Sequence, residues 1–309
     1  MTSIGIIGGR GWLGSAVKRR FLQSNQYRLL DLVRVDGVRG PSDVSLNLED
    51  AEAIARCIED HDLQCVLNAA GRQSGNAHAM FADNAALPAV IAEAIVDLGR
   101  KTHLVHFGSA AEYGVRERGD LCSEDDVCRP AGLYGLSKLA GSEALSLATK
   151  RGLNLTNLRI FNPISSSPSN AQVLGAFLER ARARHPGEEI AMGRLDGIRD
   201  FIALECVVDF VAHVVDGQQA AGLVNVCSGR GRRVRDLIGT VAEHAGLRFS
   251  EPPGSADSPN SVIGCNERYL ELGGRSSHER IDLALKRAGE DLARQRSWSE
   301  SPLHAARTE

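Results

Sequence analysis

Apolar residues fall along this chain in short continuous runs separated by stretches of helical period. Ile4, Ile6 and Ile7 form the first run and lead directly into a glycine-rich segment. Ala16, Val17, Phe21 and Leu22 then recur at the 3.6-residue spacing of one helix face. The alternation continues, with strands expected over 29–33, 65–67, 103–107 and 153–160 and helices over 49–59, 80–98 and 133–150. Strands that are apolar throughout, rather than at every second position, are buried on both faces. The pattern predicts an α/β fold, a doubly wound parallel sheet with helices on both sides. Past Pro163 the texture changes. Residues 165–169 read as a Ser/Pro loop, helices are expected over 171–184, 207–215 and 233–245, and a last strand over 223–226.

Composition narrows the class of protein. With 309 residues, 43% hydrophobic and 24% charged, the chain is an ordinary globular sequence with room for a core and an appendage. Its net charge of −3, from 36 basic and 39 acidic residues, lacks the electrostatic footprint of a general nucleic-acid binder. No apolar run approaches the length of a membrane span, so no membrane partner is expected. The first residues lack the charged and apolar regions of a signal peptide. Seven cysteines without a Cys-x-x-Cys pair are most simply read as reduced thiols in a cytoplasmic setting.

Two motifs carry chemistry. Gly8-x-x-Gly11-x-x-Gly14 is weak by itself, since a triple of this spacing arises by chance in roughly a third of chains so rich in glycine. Its place between the first strand and first helix is what counts, because backbone N–H groups there can hold a pyrophosphate. A plain turn is the competing reading. Tyr134-x-x-x-Lys138 is rarer, at about 0.06 chance occurrences per chain. On a helix the two side chains share a face, and the ammonium is expected to lower the phenol's pKa so that it can pass a proton to a carbonyl or alcohol oxygen. Ser109 ends a strand, where its hydroxyl either caps the chain or bonds the same substrate oxygen. His103 and His106 point to opposite faces of one strand and cannot chelate together, and Cys122 and Cys128 lack zinc-like spacing, so no metal is expected.

The ordered set Gly8-x-x-Gly11-x-x-Gly14, Asn68-Ala69-Ala70, Asn84, Gly108-Ser109-Ala110-Ala111-Glu112-Tyr113-Gly114, Tyr134-x-x-x-Lys138, Arg159-Ile160-Phe161-Asn162-Pro163 and Arg199-Asp200-Phe201 resembles the extended short-chain dehydrogenase/reductases. These are the sugar-nucleotide epimerases, dehydratases and reductases. The resemblance implies a Rossmann-type domain over 1–162 that binds NAD(P), with 200–227 returning to it. It implies a smaller C-terminal α/β part over 163–199 and 228–290 that holds a nucleoside-diphosphate sugar. Residues 291–309 read as a polar tail. It also implies Ser109, Tyr134 and Lys138 as the catalytic set. Gly8, Arg10, Gly11, Trp12, Leu13, Gly14, Arg34, Asn47, Leu48, Ala69, Ala70, Asn84, Tyr134 and Lys138 would line the cofactor, with Asn84 supporting a water path to Lys138. Ser109, Ala110, Asn162, Arg199 and Arg268 would meet the substrate. A homodimer through a four-helix contact of helices 85–98 and 133–148 is the implied assembly.

Within that family, the 4,6-dehydratases carry an acidic pair after the catalytic hydroxyl residue, where this chain has Ala110 and Ala111. The segments 192–201 and 223–229 are similar to the GDP-4-keto-6-deoxymannose reductases. A reductase of the C4 ketone of a 4-keto-6-deoxy sugar nucleotide is therefore expected. A 4-epimerase with tightly held NAD is the alternative enzyme, and a non-catalytic nucleotide sensor the alternative of another class. Arg10 in the glycine loop and Arg34 at the end of the second strand favour the 2′-phosphate of NADP(H). NAD(H) stays open, because Asp31 or Asp36 could instead meet the ribose hydroxyl.

Overall fold

A computed structural model describes residues 1–36, 40–116, 119–182, 184, 188–217, 221–252, 260–276 and 278–299. Its centre is one parallel sheet of seven strands: β1 (Thr2–Ile7), β2 (Tyr27–Arg34), β3 (Asp43–Leu46), β4 (Cys65–Asn68), β5 (His103–Ser109), β7 (Asn154–Ile160) and β12 (Gly222–Val226). The spatial order is β12-β7-β5-β4-β1-β2-β3. Successive crossovers lead outward from β1 in one direction and, after β3, return to β4 on its other side. A crevice opens at that reversal, outside the carboxyl ends of the strands, and it is where ligands bind in such sheets.

Two apolar layers hold the sheet. On one face Ile4, Ile6, Val105 and Leu158 pack with α1 (Trp12–Leu22) and α7 (Leu204–Gly217). On the other, Val66 and Leu104 pack with α2 (Ala51–Asp60), α4 (Leu87–Leu98) and α5 (Leu133–Thr149). Before α4 the same helix begins as α3 (Ala77–Phe81) and passes through a single π turn, Ala82–Ala86. From Ala77 to Leu98 it is long and apolar enough to cross a membrane by length and composition. The sequence reading, which looked only for an unbroken apolar run, did not anticipate this. Ile91, Ala92, Ala94 and Ile95 are nevertheless buried in the layer under the sheet, which is ordinary for a core helix.

The C-terminal part adds a four-stranded sheet in the order β13-β10-β15-β6. Its strands are β6 (Leu121–Cys122), β10 (Ile198–Asp200), β13 (Gly231–Arg233) and β15 (Ser261–Gly264). Two small pairs complete the strands, β8 (Pro163–Ile164) with β11 (Ile202–Ala203) and β9 (Glu189–Ala191) with β14 (Arg248–Ser250). The remaining helices are α6 (Val173–Arg182), α8 (Val234–Ala245), α9 (Glu267–Glu271) and α10 (His278–Ser299).

Several features depart from the sequence reading, the first being that β13, β14 and β15 follow 223–226, which was expected to be the last strand: they are only three or four residues long, too short to leave an apolar run. Edge strand β3 was not foreseen, since only Leu46 of its four residues is buried. Strand β6 lies inside 1–162 yet pairs with β15, so the two parts interlock there. The supposed polar tail is helical as far as Ser299. Ile281, Leu285, Ala288 and Leu292 recur at helical spacing and are all buried, so a core-facing stripe runs under the charged surface. The last ten residues of the expected tail lie outside the described residues.

Candidate active site

The glycine loop leaves β1 at the crevice and opens α1. Gly8 has φ +80° and its absent Cβ would collide with the backbone of Ala69 and Ala70, while a Cβ on Gly14 would overlap the Gly8 carbonyl. Packing alone requires these two glycines. Gly11 differs, because a Cβ there would meet only the Gly8 oxygen, at 3.3 Å. Gly11 is the N-cap of α1 and contributes no side-chain cap. The first N–H groups of α1, those of Trp12 and Leu13, thus stand behind a backbone with no side chain in front. An anion such as a pyrophosphate fits this cradle. Trp12 ties the loop to the C-terminal part, its indole N–H donating to the Ser167 carbonyl at 2.8 Å.

Ser109, Tyr134 and Lys138 come together at the carboxyl end of β5. Ser109 caps a short 3₁₀ turn, Ala110–Glu112, by accepting from the Ala111 N–H at 3.2 Å. Its hydroxyl is also a hydrogen-bond partner of the Tyr134 phenol, as is the side chain of Gln73. Burial raises the phenol's pKa and these two partners work against it. The expectation that Lys138 lowers it is corrected. The Lys138 Nζ is turned to the Phe107 carbonyl, at 2.9 Å, and the groups pulling the phenol down are Ser109 and Gln73. Lys138 is itself fully buried, and burial brings its pKa down to about 8 against the pull of Glu112 and Asp83.

Asn84 sits in the π turn and its amide is fully engaged. Its Oδ1 accepts the Arg72 N–H and its Nδ2 donates to the Arg72 carbonyl, both at 2.8 Å, and Nδ2 also donates to Ser137 Oγ at 2.9 Å. Asn84 is therefore a clamp on the loop after β4 rather than an open station in a water path. Gly71 lies in the same loop, where a Cβ would press on the Lys138 Nζ at 2.9 Å. The clamp holds 71–73 over Lys138, so that Gln73 reaches Tyr134. Sequence reasoning missed Gln73 and Arg72. The usable signal was topological, since this loop leaves the strand next to β5 at the crevice edge.

Glu112, the acidic residue nearest Ser109 in sequence, faces away from the crevice. Its Oε1 accepts the Ser109 N–H at 2.7 Å and its Oε2 accepts Arg159 Nε at 2.8 Å, with both side chains buried. Arg159 lies 4.6 Å over the Tyr113 ring. This is an internal strut. The two strand histidines are buried and neutral, burial bringing His103 to about 4 and His106 well below its ordinary range. His103 bonds Thr156 on β7 and His106 bonds Asn68 on β4, so they part to opposite neighbours. Among the described residues no group of three or more His, Cys, Asp or Glu could hold a metal.

At the other end of the crevice Arg10 pairs with Asp43 and Arg34 with Asp83. Asp31 is buried, with its Oδ2 paired with Lys18 and its Oδ1 against Gly9 of the glycine loop without a hydrogen-bond partner. Asn47 accepts the Glu49 N–H in a turn of its own. Leu48 lines a cavity of about 500 Å³ together with Arg34, Phe81, Ala85, Ala86 and Val90.

The expected substrate contacts fare differently. Asn162 donates to the Asp200 carbonyl, and Arg199 Nη1 donates to the carbonyls of Ile198 and Asn260. These bonds tie strands of the C-terminal part. Arg268 is not brought to the crevice. It donates to the Ala221 carbonyl at 2.8 Å, just before β12, at the amino end of the parallel strands. The resemblance put Arg268 at the substrate, and no helix was expected at 267–271, so nothing in the sequence told which end of β12 its arginine would reach.

A parallel sheet with a glycine cradle at its switch point and a Ser, Tyr and Lys set beside it defines an NAD(P)-dependent enzyme of the short-chain dehydrogenase type. The chain belongs to the NAD dependent epimerase/dehydratase family, whose profile matches residues 4–227. It is 28% identical over 257 residues to dTDP-6-deoxy-L-talose 4-dehydrogenase (NAD(P)(+)) of Kitasatospora kifunensis, covering 79% of each chain. The fold superposes on a putative epimerase of Burkholderia cenocepacia J2315 with a TM-score of 0.81 and 23% identity, over 95% of this chain and 98% of that one. RMD of Pseudomonas aeruginosa, solved with NADPH, gives a TM-score of 0.78 at 19% identity, over 96% and 100%.

Proposed function

We propose that this enzyme reduces the C4 ketone of a 4-keto-6-deoxy sugar nucleotide, taking NADP(H) in preference to NAD(H). The observation that carries this reading is the end of β5. It offers a hydroxyl and a phenol side by side, while Glu112 has both oxygens engaged by Ser109 and Arg159. Elimination of water needs a free acid and base at the sugar, and Ala110 and Ala111 occupy the positions where the dehydratases resembled above carry them. The name of the Kitasatospora relative, a 4-dehydrogenase of a 6-deoxy sugar nucleotide, supports the same substrate class.

The residues divide the work as follows. Bound nicotinamide supplies the hydride that reaches C4. Tyr134 gives its proton to the C4 oxygen, and its burial keeps it protonated for that task at neutral pH. Ser109 bonds the same oxygen and orients the carbonyl. Lys138, charged below about pH 8, holds the nicotinamide ribose. Gly11, Trp12 and Leu13 hold the pyrophosphate. The enzyme works as a homodimer, with α4 and α5 of each copy in a four-helix contact. Leu133, Leu136 and Leu147 are exposed on α5 and give that contact an apolar stripe.

The test is incubation of purified enzyme with a 4-keto-6-deoxy sugar nucleotide and NADPH. One NADPH should be consumed per sugar reduced, and the parent hexose nucleotide should give no 4-keto product. Epimerisation without added cofactor, by nicotinamide that stays with the protein through purification, would establish the 4-epimerase reading instead.

A further inference from the structure

We propose that Asp83 sets the cofactor selectivity of this chain by competing with a 2′-phosphate for Arg34 and Arg72. The inference rests on the nicotinamide reading above. Arg34 ends β2 at the crevice edge, two residues beyond the register of Leu32 with Ile7, the last residue before the glycine loop. It also forms part of the wall of the cavity that Leu48, Phe81 and Val90 make apolar, a slot suited to a flat base. A base in that slot would have the Arg34 guanidinium beside it, within reach of a group on its ribose.

That guanidinium is already engaged. Arg34 Nη2 donates to Asp83 Oδ1 at 2.6 Å, and Arg72 Nε donates to Asp83 Oδ2 at 2.8 Å. Each carboxylate oxygen thus serves one arginine. The carboxylate side chain is only 13% exposed, whereas Arg34 and Arg72 are 50% and 45% exposed. The two cations present their remaining N–H groups to solvent from either side of a sheltered anion. Burial works to raise the Asp83 carboxyl's pKa, but the two arginines hold it below its usual range, so it is ionised at neutral pH. Asp83 and Asn84 lie in the same π turn, a helix irregularity frequent at functional sites. Through it both residues reach Arg72, one at its side chain and one at its backbone.

The consequences for the two cofactors are opposite. A 2′-phosphate, with a charge of about −1.5 to −2, gains the guanidinium groups but meets the Asp83 charge between them. A 2′-hydroxyl instead can donate a hydrogen bond to the Asp83 carboxylate, the arrangement that favours NAD(H). Two arginines and one aspartate leave a single net positive charge in the cluster, and Glu49 on the cavity wall offsets part of it. The preference for NADP(H) is therefore small, within about tenfold, where two unpaired arginines would give more. Arg10, the other cation of the glycine loop, is separately paired with Asp43 and contributes little.

Calorimetric titration of NADPH and NADH into the purified enzyme tests this without turnover. Wild type should bind both, with dissociation constants within about tenfold of each other. Asp83→Asn keeps an oxygen for one arginine and removes the charge, and should move the ratio at least about tenfold toward NADPH. Arg72→Ala, a change in an exposed side chain, should weaken NADPH and leave NADH nearly unaltered, which keeps the test open if Asp83→Asn does not fold. An unchanged ratio in folded Asp83→Asn together with an unaltered Arg72→Ala overturns the inference. A shift produced by Asp43→Asn instead also overturns it, by assigning selectivity to Arg10. Wild type that binds neither dinucleotide overturns the nicotinamide reading, and this inference with it.

Discussion

Polar side chains at the carboxyl edge of the large sheet and in the smaller C-terminal sheet meet opposite fates. At the edge, Ser109 and Gln73 both partner the Tyr134 phenol. In the C-terminal part, Asp200 is buried and accepts the backbone N–H groups of Ser228 at 2.8 Å, Gly229 at 2.9 Å and Gly264 at 3.3 Å, and Asn162 and Arg199 bond carbonyls. Burial alone raises the Asp200 carboxyl to about 6 even against those donors. The difference teaches that residue type does not mark a site. A polar group whose partners are backbone atoms of its own fold holds the fold, and one that shares a partner at an open edge can do chemistry.

The largest expected effect breaks the open side of this contrast. Tyr134→Phe keeps the ring and removes the proton donor, so turnover should fall by about 10²–10⁴-fold while cofactor affinity measured by titration hardly changes. Near-normal turnover would remove Tyr134 from its role. Glu112→Ala addresses a residue next to the site that belongs to the closed side. It leaves Arg159 buried without its partner, so it should cost on the order of 3–5 kcal/mol of stability in a denaturant titration. Loss of activity without loss of stability would show that Glu112 acts in the crevice after all.

Lys138 sharpens the comparison because it stands on both sides. The folded protein holds its proton less tightly than the unfolded chain, at about 8 rather than 10.5. Below pH 8 this costs stability, and the cost fades as pH rises from 8 toward 10.5. Lys138→Met should therefore abolish activity and stabilise the apo protein by on the order of 3 kcal/mol at neutral pH. The wild-type reduction rate should decline as pH rises through about 8, where the ammonium is lost. Arg268→Ala is the smallest change. Its guanidinium lies at the far end of β12, so KM should be unaltered and stability should shift by no more than about 0.5 kcal/mol.

Much of this was legible in the sequence because it is local. Ile4, Ile6 and Ile7 before Gly8 predict a buried strand and a phosphate turn from a dozen residues, and Tyr134 with Lys138 predicts a shared helix face from five. The legibility ends where a role depends on a distant partner. Nothing near Gln73 points to Tyr134, since only the adjacency of β4 and β5 brings their loops together. Arg34 reads as an available cation until Asp83 arrives from a helix elsewhere in the chain. The π turn that aims Asp83 and Asn84 leaves no mark on the apolar period of 80–98. The stripe Ile281, Leu285, Ala288 and Leu292 was present in the sequence, but charged residues around it hid its period.

Hydride transfer is the central claim, and its most direct measurement follows deuterium. Enzyme given NADPH deuterated at nicotinamide C4 and a 4-keto-6-deoxy sugar nucleotide should yield a sugar carrying deuterium at C4 by NMR, with one cofactor oxidised per product. A product reduced at C4 without deuterium there, or a ketone left unreduced while the deuterated cofactor remains intact, would contradict the account.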